Sequence, residues 1–337
     1  MRAVAYKTPQ PIAAETSLID VDLPTPEAKD HDLLVEIKAV SVNPVDVKVR
    51  ASMAPPADEL RVLGFDAAGI VKAIGPDVTL FKPGDEVFYS GVINRPGSNA
   101  EYQLVDERIV GRKPKSLDFA AAAALPLTSI TAYEALFDRL RVTDPVPGAA
   151  PALLIIGGAG GVGSIAIQIA RALTDLTVIA TASRAETQTW VKELGAHHVI
   201  DHSRPIAPQV AALGIGAPGF IFSTTNTDKH VADIVEALAP QGRFGLIDDP
   251  KTFDIVPFKR KAASVHWELM FTRPLFGTPD MIEQHKILNR ISELVDAGKI
   301  RTTLSETVGT INAANLKKAH AMVESGKMKG KAVLAGF

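Results

Sequence analysis

The sequence contains no cysteine. That removes disulfides and every thiolate metal site, and it fits an intracellular, cytoplasmic protein. There is no excess of charge of either sign: 36 Lys and Arg stand against 38 Asp and Glu, a net charge of −2, and the basic residues are scattered. No nucleic acid or other polyanion partner is implied. The N-terminal Met1-Arg2-Ala3-Val4-Ala5-Tyr6 has no apolar signal core and reads as a first strand. Residues 149–167 are uncharged, but Pro151 and a glycine cluster break them into strand, turn and helix. The sequence therefore predicts no transmembrane span and no membrane partner. It has no internal repeat and no low-complexity tract. What remains is a chain of 337 residues, 46% hydrophobic and 22% charged, suited to a globular protein of two domains.

Two rhythms divide it. Up to about residue 120 the chain is rich in β-like runs and turns. Leu33–Val40 alternates as a half-buried strand does, Ala67–Gly75 reads as another, and Lys82-Pro83-Gly84-Asp85 is a turn feeding Glu86–Phe88. From about residue 125, strand and helix alternate. Strands are expected at Leu153–Ile156, Val178–Ala182, Val199–Ile200, Gly219–Phe222 and Arg243–Ile247, with helices after Gly163, from Ala185 to Leu194, and around Val231–Leu238. That alternation implies a doubly wound parallel sheet, ligands lying beyond the carboxyl ends of its strands. A later amphipathic helix carries Ile282, Leu288, Ile291, Leu294 and Val295 before Gly298, and Lys331–Leu334 reads as a short strand returning to the first domain. The expected fold is α/β. A mainly β domain spans 1–125 and 298–337, and a dinucleotide-binding domain spans 126–297.

The strongest motif joins the first strand of that second domain to its helix. In Leu153-Leu154-Ile155-Ile156-Gly157-Gly158-Ala159-Gly160-Gly161-Val162-Gly163, Gly158, Gly160 and Gly163 fit G-x-G-x-x-G, while Gly157, Gly160 and Gly163 fit G-x-x-G-x-x-G. Glycines permit the tight turn, the approach of backbone to a pyrophosphate and close helix–strand packing. The N–H groups opening the helix, at Gly161, Val162 and Gly163, suit phosphate oxygens. About 20 residues on, an NAD site places Asp or Glu against the ribose 2′-hydroxyl. Here the sequence reads Thr181-Ala182-Ser183-Arg184, without a carboxylate. Ser183 can hydrogen-bond a 2′-phosphate and Arg184 can pair with it, which points to NADPH. Ser183 also fits a helix N-cap, with Glu186 completing a capping box. Ser223 and Thr224 after the fourth strand, and Ile247 and Asp248 after the fifth, stand where further cofactor contacts are expected.

Several separated motifs then coincide: Val42-Asn43-Pro44-Val45-Asp46, Leu63-Gly64-Phe65-Asp66-Ala67-Ala68-Gly69, Lys82–Val87 and the Gly157–Gly163 turn. Through them the chain resembles the medium-chain dehydrogenase/reductase superfamily along essentially its whole length. Within it, the chain resembles the zinc-independent quinone oxidoreductase branch. Pro96–Tyr102 and Phe258–Lys261 make it most similar to the bacterial zinc-type alcohol dehydrogenase-like group. The resemblance implies a GroES-like β domain, a Rossmann domain and an NADPH-linked reductase. It matches the usual Cys, His and Cys zinc ligands to Asn43, Phe65 and a position near Leu127, so no zinc is expected. It also places Asn43 and Thr131 beside the nicotinamide as candidate catalytic residues, and His202 near the 2′-phosphate. Phe65, Trp267 and Phe271 are implied to line the substrate pocket, and the Val265–Phe271 region a homodimer edge. Asp46 and Asp66 are expected only to brace the site, and Lys331 to be solvated or to approach a cofactor phosphate. The adjacent His197 and His198 should point to opposite faces of a strand, one buried and one exposed.

Hydride transfer to a quinone or an α,β-unsaturated carbonyl is the function so implied, because the delocalised oxyanion formed needs little Lewis-acid help. Two alternatives stand beside it: a zinc-type alcohol dehydrogenase acting on alcohols or aldehydes, and a non-catalytic NADPH-binding regulatory protein.

Overall fold

The alternation after residue 150 becomes a single parallel sheet in the computed structural model, which describes all 337 residues. Its spatial order is His198–Ile200, Thr177–Thr181, Ala150–Ile156, Pro218–Ser223, Arg243–Leu246, Ser264–Trp267, every neighbouring pair being parallel. In chain order this is the 3-2-1-4-5-6 doubly wound arrangement, reversing between Ala150–Ile156 and Pro218–Ser223. The strands are continuous apolar runs because helices cover both faces. Leu154, Ile179, Ile221 and Phe244 from the sheet share one buried cluster with Ile206, Val210, Ile234 and Leu238 from the helices. Helix Ile206–Ala212 is unannounced in the sequence because it contains Pro208. Proline is tolerated there because a first-turn N–H has no intrahelical acceptor. The sixth strand, Ser264–Trp267, forms the sheet edge and was not foreseen as a strand.

Contacts divide the chain into two units, Met1–Ile130 with Phe271–Phe337, and Thr131–Met270. The boundaries fall after Ile130, inside helix Pro126–Tyr133, and after Met270, rather than after 125 and 297. The difference lies mainly in helix Glu283–Asp296, which packs on strand Val110–Arg112 and the turn Glu107–Ile109. Leu288 closes on Gly111 so tightly that a Cβ there would lie 2.4 Å from it, and Arg112 N–H donates to Asn289 Oδ1 at 2.9 Å. The apolar face of that helix was legible from its spacing; the layer it covers was not.

In the first unit, strand Asp32–Ser41 is the spine. It pairs along its length with Asp66–Ile74. On its other edge, Tyr102–Asp106 pairs with residues 32–36 and Lys331–Ala335 with residues 39–41, all antiparallel. Burial alternates along it and becomes continuous at Val40–Ser41, just before Asn43. The C-terminal strand thereby reaches the same place: Val42 N–H donates to Ala332 C=O at 3.2 Å. The helical run Phe119–Arg139 is long and apolar enough to cross a membrane, but 83% of its most apolar window is buried inside the protein, as in a core helix.

Candidate active site

The glycine turn has the geometry a pyrophosphate needs. Gly157 has φ +82°, a left-handed backbone that favours glycine. A Cβ on it would also meet Thr224 Oγ1 at 2.4 Å. Gly163 has no room for a side chain, since a Cβ would stand 2.3 Å from Gly157 O and 2.7 Å from Gly158 Cα. Helix Gly161–Leu173 begins after Gly160 without a side-chain cap. Its opening N–H groups lack intrahelical acceptors, and Gly160, Gly161 and Val162 are half-buried. Backbone approach, donors and the positive helix end coincide, so the residues present fit a dinucleotide.

At the end of the second strand, Thr181 Oγ1 accepts Gly157 N–H at 2.9 Å and lies 2.9 Å from His202 Nδ1. Thr181, which the sequence did not single out, thus joins the turn to His202. Burial first, then the nearby His230 ring, holds His202 below the ordinary histidine range. Ser183 is exposed and does not cap the following helix. The cap is Arg184, whose N–H donates to Thr187 Oγ1 at 3.2 Å while that hydroxyl donates back to Arg184 C=O at 2.8 Å. The expected Ser183/Glu186 capping box is therefore displaced by one residue, and Glu186 instead pairs with Arg184 Nε at 3.1 Å.

Ser223 is fully buried at the carboxyl end of its strand, its hydroxyl 2.7 Å from Thr227 Oγ1. Asp248 accepts Thr227 N–H at 2.8 Å and Thr227 Oγ1 at 2.5 Å, closing the N-terminus of helix Thr227–Ala237. Thr224 Oγ1 donates to Ile156 C=O at 2.9 Å beside the glycine turn, and half-buried Ile247 follows the fifth strand. Ser223 and Asp248 thus shape this edge through Thr227, a residue that carried no sequence signal. Thr131 is buried within helix Pro126–Tyr133 and is not a cap residue.

The first unit assembles a buried polar cluster. Asn43 N-caps helix Pro44–Ser52, and Asp46 accepts the N–H of Asn43 at 2.8 Å and of Gly64 at 3.1 Å. Burial is the largest influence on Asp46 and raises it to about 7, against those two donors and Lys331. Asp66 Oδ1 accepts Leu127 N–H at 2.7 Å. Its Oδ2 accepts Ser41 Oγ at 2.8 Å, Asn43 Nδ2 at 2.8 Å and Lys331 Nζ at 3.0 Å. Lys331 also donates to Val42 C=O at 3.2 Å and to Asn43 Oδ1. None of Ser41, Asn43, Asp46, Asp66 and Lys331 is more than 3% exposed, so their polar groups rely on one another and on the Val42, Gly64 and Leu127 backbone.

This arrangement corrects one expectation. The Asn43 amide, expected beside the nicotinamide, donates to Asp66 and accepts from Lys331. Lys331, expected in solvent or near a phosphate, is a buried ion pair. Phe65 and Phe271 do come together, ring centroids 5.1 Å apart and both buried. Trp267 is 52% exposed and sits edge-on to Phe253 at 5.4 Å. His197 is exposed and His198 half-buried, so neither is the buried partner expected. His197 Nδ1 accepts Val178 N–H at 2.9 Å.

Residues 29–115 match the alcohol dehydrogenase GroES-like domain, and residues 194–334 match the zinc-binding dehydrogenase family. A zinc-type alcohol dehydrogenase-like protein of Staphylococcus aureus is 44% identical over 313 residues, 92% of each chain. The chain belongs to the medium-chain dehydrogenase/reductase superfamily. Two solved structures are similar to it. A Rhizobium etli protein provisionally assigned to the zinc-dependent alcohol dehydrogenases shares 70% identity at a TM-score of 0.99, covering 100% of this chain and 98% of that one. A quinone oxidoreductase from Coxiella burnetii shares 27% at a TM-score of 0.79, covering 100% and 99%. As a medium-chain dehydrogenase/reductase, the protein is an oxidoreductase.

Proposed function

We propose that the protein is a cytoplasmic, NADPH-dependent reductase that transfers hydride to a quinone or an α,β-unsaturated carbonyl without a metal. The reading is carried by the side chains at the positions that the resemblance matches to zinc ligands: an amide at Asn43, a hydrocarbon at Phe65 and no cysteine near Leu127. The Asn43 amide oxygen already accepts from the Lys331 ammonium. These residues do not fit zinc, whose catalytic sites need three N, S or O ligands and an open position. A simple alcohol or ketone oxygen lacks its usual Lewis acid here. A quinone or enone spreads its developing negative charge over its own π system.

When bound, the reduced nicotinamide supplies the hydride. Gly158, Gly160, Gly161, Val162 and Gly163 would hold the pyrophosphate. Ser183, Arg184 and His202 would take the 2′-phosphate, and Thr224 and Ile247 would flank the nucleotide on a frame set by Ser223 and Asp248. Thr131 is the candidate nicotinamide contact. The buried Phe65–Phe271 pair would give a flat acceptor an apolar wall. We also infer a homodimer, since the edge strand Ser264–Trp267 has a sheet neighbour on one side only and Ile255, Val256, Trp267 and Leu269 are exposed.

The test is NADPH oxidation by metal-stripped protein against quinones, enones and simple ketones, with NADH in parallel. Chelator-insensitive turnover of quinones or enones is expected, with kcat/KM at least about tenfold higher for NADPH. Arg184→Ala should remove about tenfold of that preference, or about 1.4 kcal/mol. Alcohol oxidation that requires added zinc would establish the alcohol dehydrogenase reading instead. Tight NADPH binding without turnover on any acceptor would establish a regulatory binder.

A further inference from the structure

We propose that His202 and His230 form a pair that gains one proton from solvent as the 2′-phosphate of NADPH arrives, so that the preference for NADPH over NADH strengthens as pH falls. The proposal rests on the NADPH reading above and names how its 2′-phosphate site is regulated. His230 lies on helix Thr227–Ala237 and carried no sequence signal. Its ring stands 6.4 Å from that of His202, with 66° between the planes.

The geometry keeps a place for the extra proton. Thr181 Oγ1 accepts Gly157 N–H at 2.9 Å and lies 2.9 Å from His202 Nδ1. A hydroxyl has one proton to give and two lone pairs. With one lone pair on Gly157, it gives its proton to Nδ1 of a neutral ring and turns its other lone pair to the Nδ1–H of a charged one. Nδ1 is satisfied in both states and no heavy atom has to move. The second nitrogen, Nε2, then carries a proton in both states, and no protein group accepts it. A phosphate oxygen suits that donor, and the bond is strongest when the ring is charged.

The surroundings keep the free pair neutral. Burial is the largest influence on each ring and holds both below the ordinary histidine range. On His202 the His230 ring comes next; Arg184 acts the same way, while Asp201 and the Thr181 backbone oppose. On His230, Lys229 acts with burial, while Asp233, Asp228 and Asp248 oppose. Asp201 is already engaged by Ser203, Asp233 by the Ala207 N–H and Asp248 by Thr227, and Asp228 is exposed. A phosphate adds about −1.5 to −2 charge at the end of the second strand and favours the charged ring. The bound pair therefore holds more protons than the free pair, and affinity for NADPH falls as pH rises. NADH has a hydroxyl in that place and lacks the effect. Above about pH 6 the phosphate is already a dianion and an arginine keeps its charge, so the rings are what titrates.

The experiment titrates full-length protein with NADPH and with NADH by calorimetry between pH 6.5 and 8.5. Two buffers of different ionisation enthalpy count the protons taken up. Wild type should take up at least about 0.3 proton per NADPH and less than about 0.1 per NADH, so that the ratio of the two Kd values shrinks at least about fourfold across that range. His202→Gln keeps a donor that does not titrate, and should bring uptake below about 0.1 and hold the ratio within about twofold. His230→Phe keeps a ring but removes the opposing one, so that His202 charges before the ligand arrives, and should at least halve the uptake. Circular dichroism checks both folds, and either variant alone decides should the other not fold. A wild type that prefers NADPH equally at every pH, or folded variants that take up as many protons as wild type, overturn the proposal and leave the NADPH reading standing. Equal Kd values for the two cofactors at every pH overturn that reading, and the proposal with it.

Discussion

Glu268 Oε2 accepts Arg139 Nε at 2.8 Å inside the second unit, and the Glu134 carboxyl lies against the same Glu268 side chain. Both glutamates are buried, and Glu268 Oε1 finds no N–H or O–H donor. Two acceptor-only groups can share a hydrogen bond only if one keeps its proton. Burial, and then the Glu134 charge, raises Glu268 to about 9 despite Arg139. The nearby strand also carries His266, held low by burial and by Arg141, Arg139 and Arg243. Arg139 ends a π-helical turn, Glu134–Arg139, that packs on the last two sheet strands.

The pair carries a pH dependence whose sign is fixed. An unfolded glutamate releases its proton near about 4.3, while folded Glu268 holds it up to about 9. Across that window the folded protein binds more protons than the unfolded chain. This contribution to stability is complete below the lower value and is lost as pH rises through the higher one. Glu268→Gln, which imitates the protonated acid, should therefore gain on wild type as pH rises from 5 to 9. The expected gain is at least about 1 kcal/mol, or about 2–4 °C in Tm. Thermal unfolding in matched buffers checks it; a difference constant across that range would show that the pair holds no proton.

Two glycines of one motif should respond unequally to the same substitution. In Gly163→Ala the new methyl meets backbone atoms at 2.3 and 2.7 Å, which cannot swing aside. Overpacking of that kind costs about 1–3 kcal/mol, and the turn must open to relieve it. In Gly160→Ala the nearest atom is Gly157 O at 3.5 Å and φ is −68°, open to any residue. Calorimetry should show Gly163→Ala lower in Tm by about 3–8 °C and Gly160→Ala within about 1 °C of wild type. Equal losses would mean that the turn does not rest on the Gly163 contact.

The sequence showed most where the physics is local. The Gly157–Gly163 turn was legible because a left-handed φ and a missing Cβ demand glycine whatever lies elsewhere. The parallel sheet was legible because helices on both faces force unbroken apolar strands. The cluster at Asn43 was not, because its closing residue is Lys331, 288 positions away. Lys331-Ala332-Val333-Leu334 announces a strand but neither its partner nor the side its lysine takes. Arg184 took the cap from Ser183 because caps are decided by the backbone at one residue, finer than a motif resolves. Trp267 was implied as pocket lining by the resemblance alone, which says nothing of its place in the sheet. Its strand turned out to be the sheet edge, where half of the ring is exposed.

That edge gives the last prediction. A strand with one neighbour leaves a row of N–H and C=O groups open, and a second copy can pair with it antiparallel across a two-fold axis, each chain supplying the same residues. Leu269 and Val256 are 55% and 70% exposed, so replacing them should cost the isolated subunit little. A contact between copies would then bury the new charges without partners. Wild-type protein should show twice the subunit mass of 35.8 kDa by light scattering. Val256→Asp/Leu269→Asp should dissociate at concentrations at least about 100-fold higher, a loss of about 2.7 kcal/mol, with its circular dichroism unchanged. A wild-type protein that stays monomeric at tens of micromolar would sink the dimer. A double variant that still dimerises as tightly would keep the dimer but move its interface away from this strand.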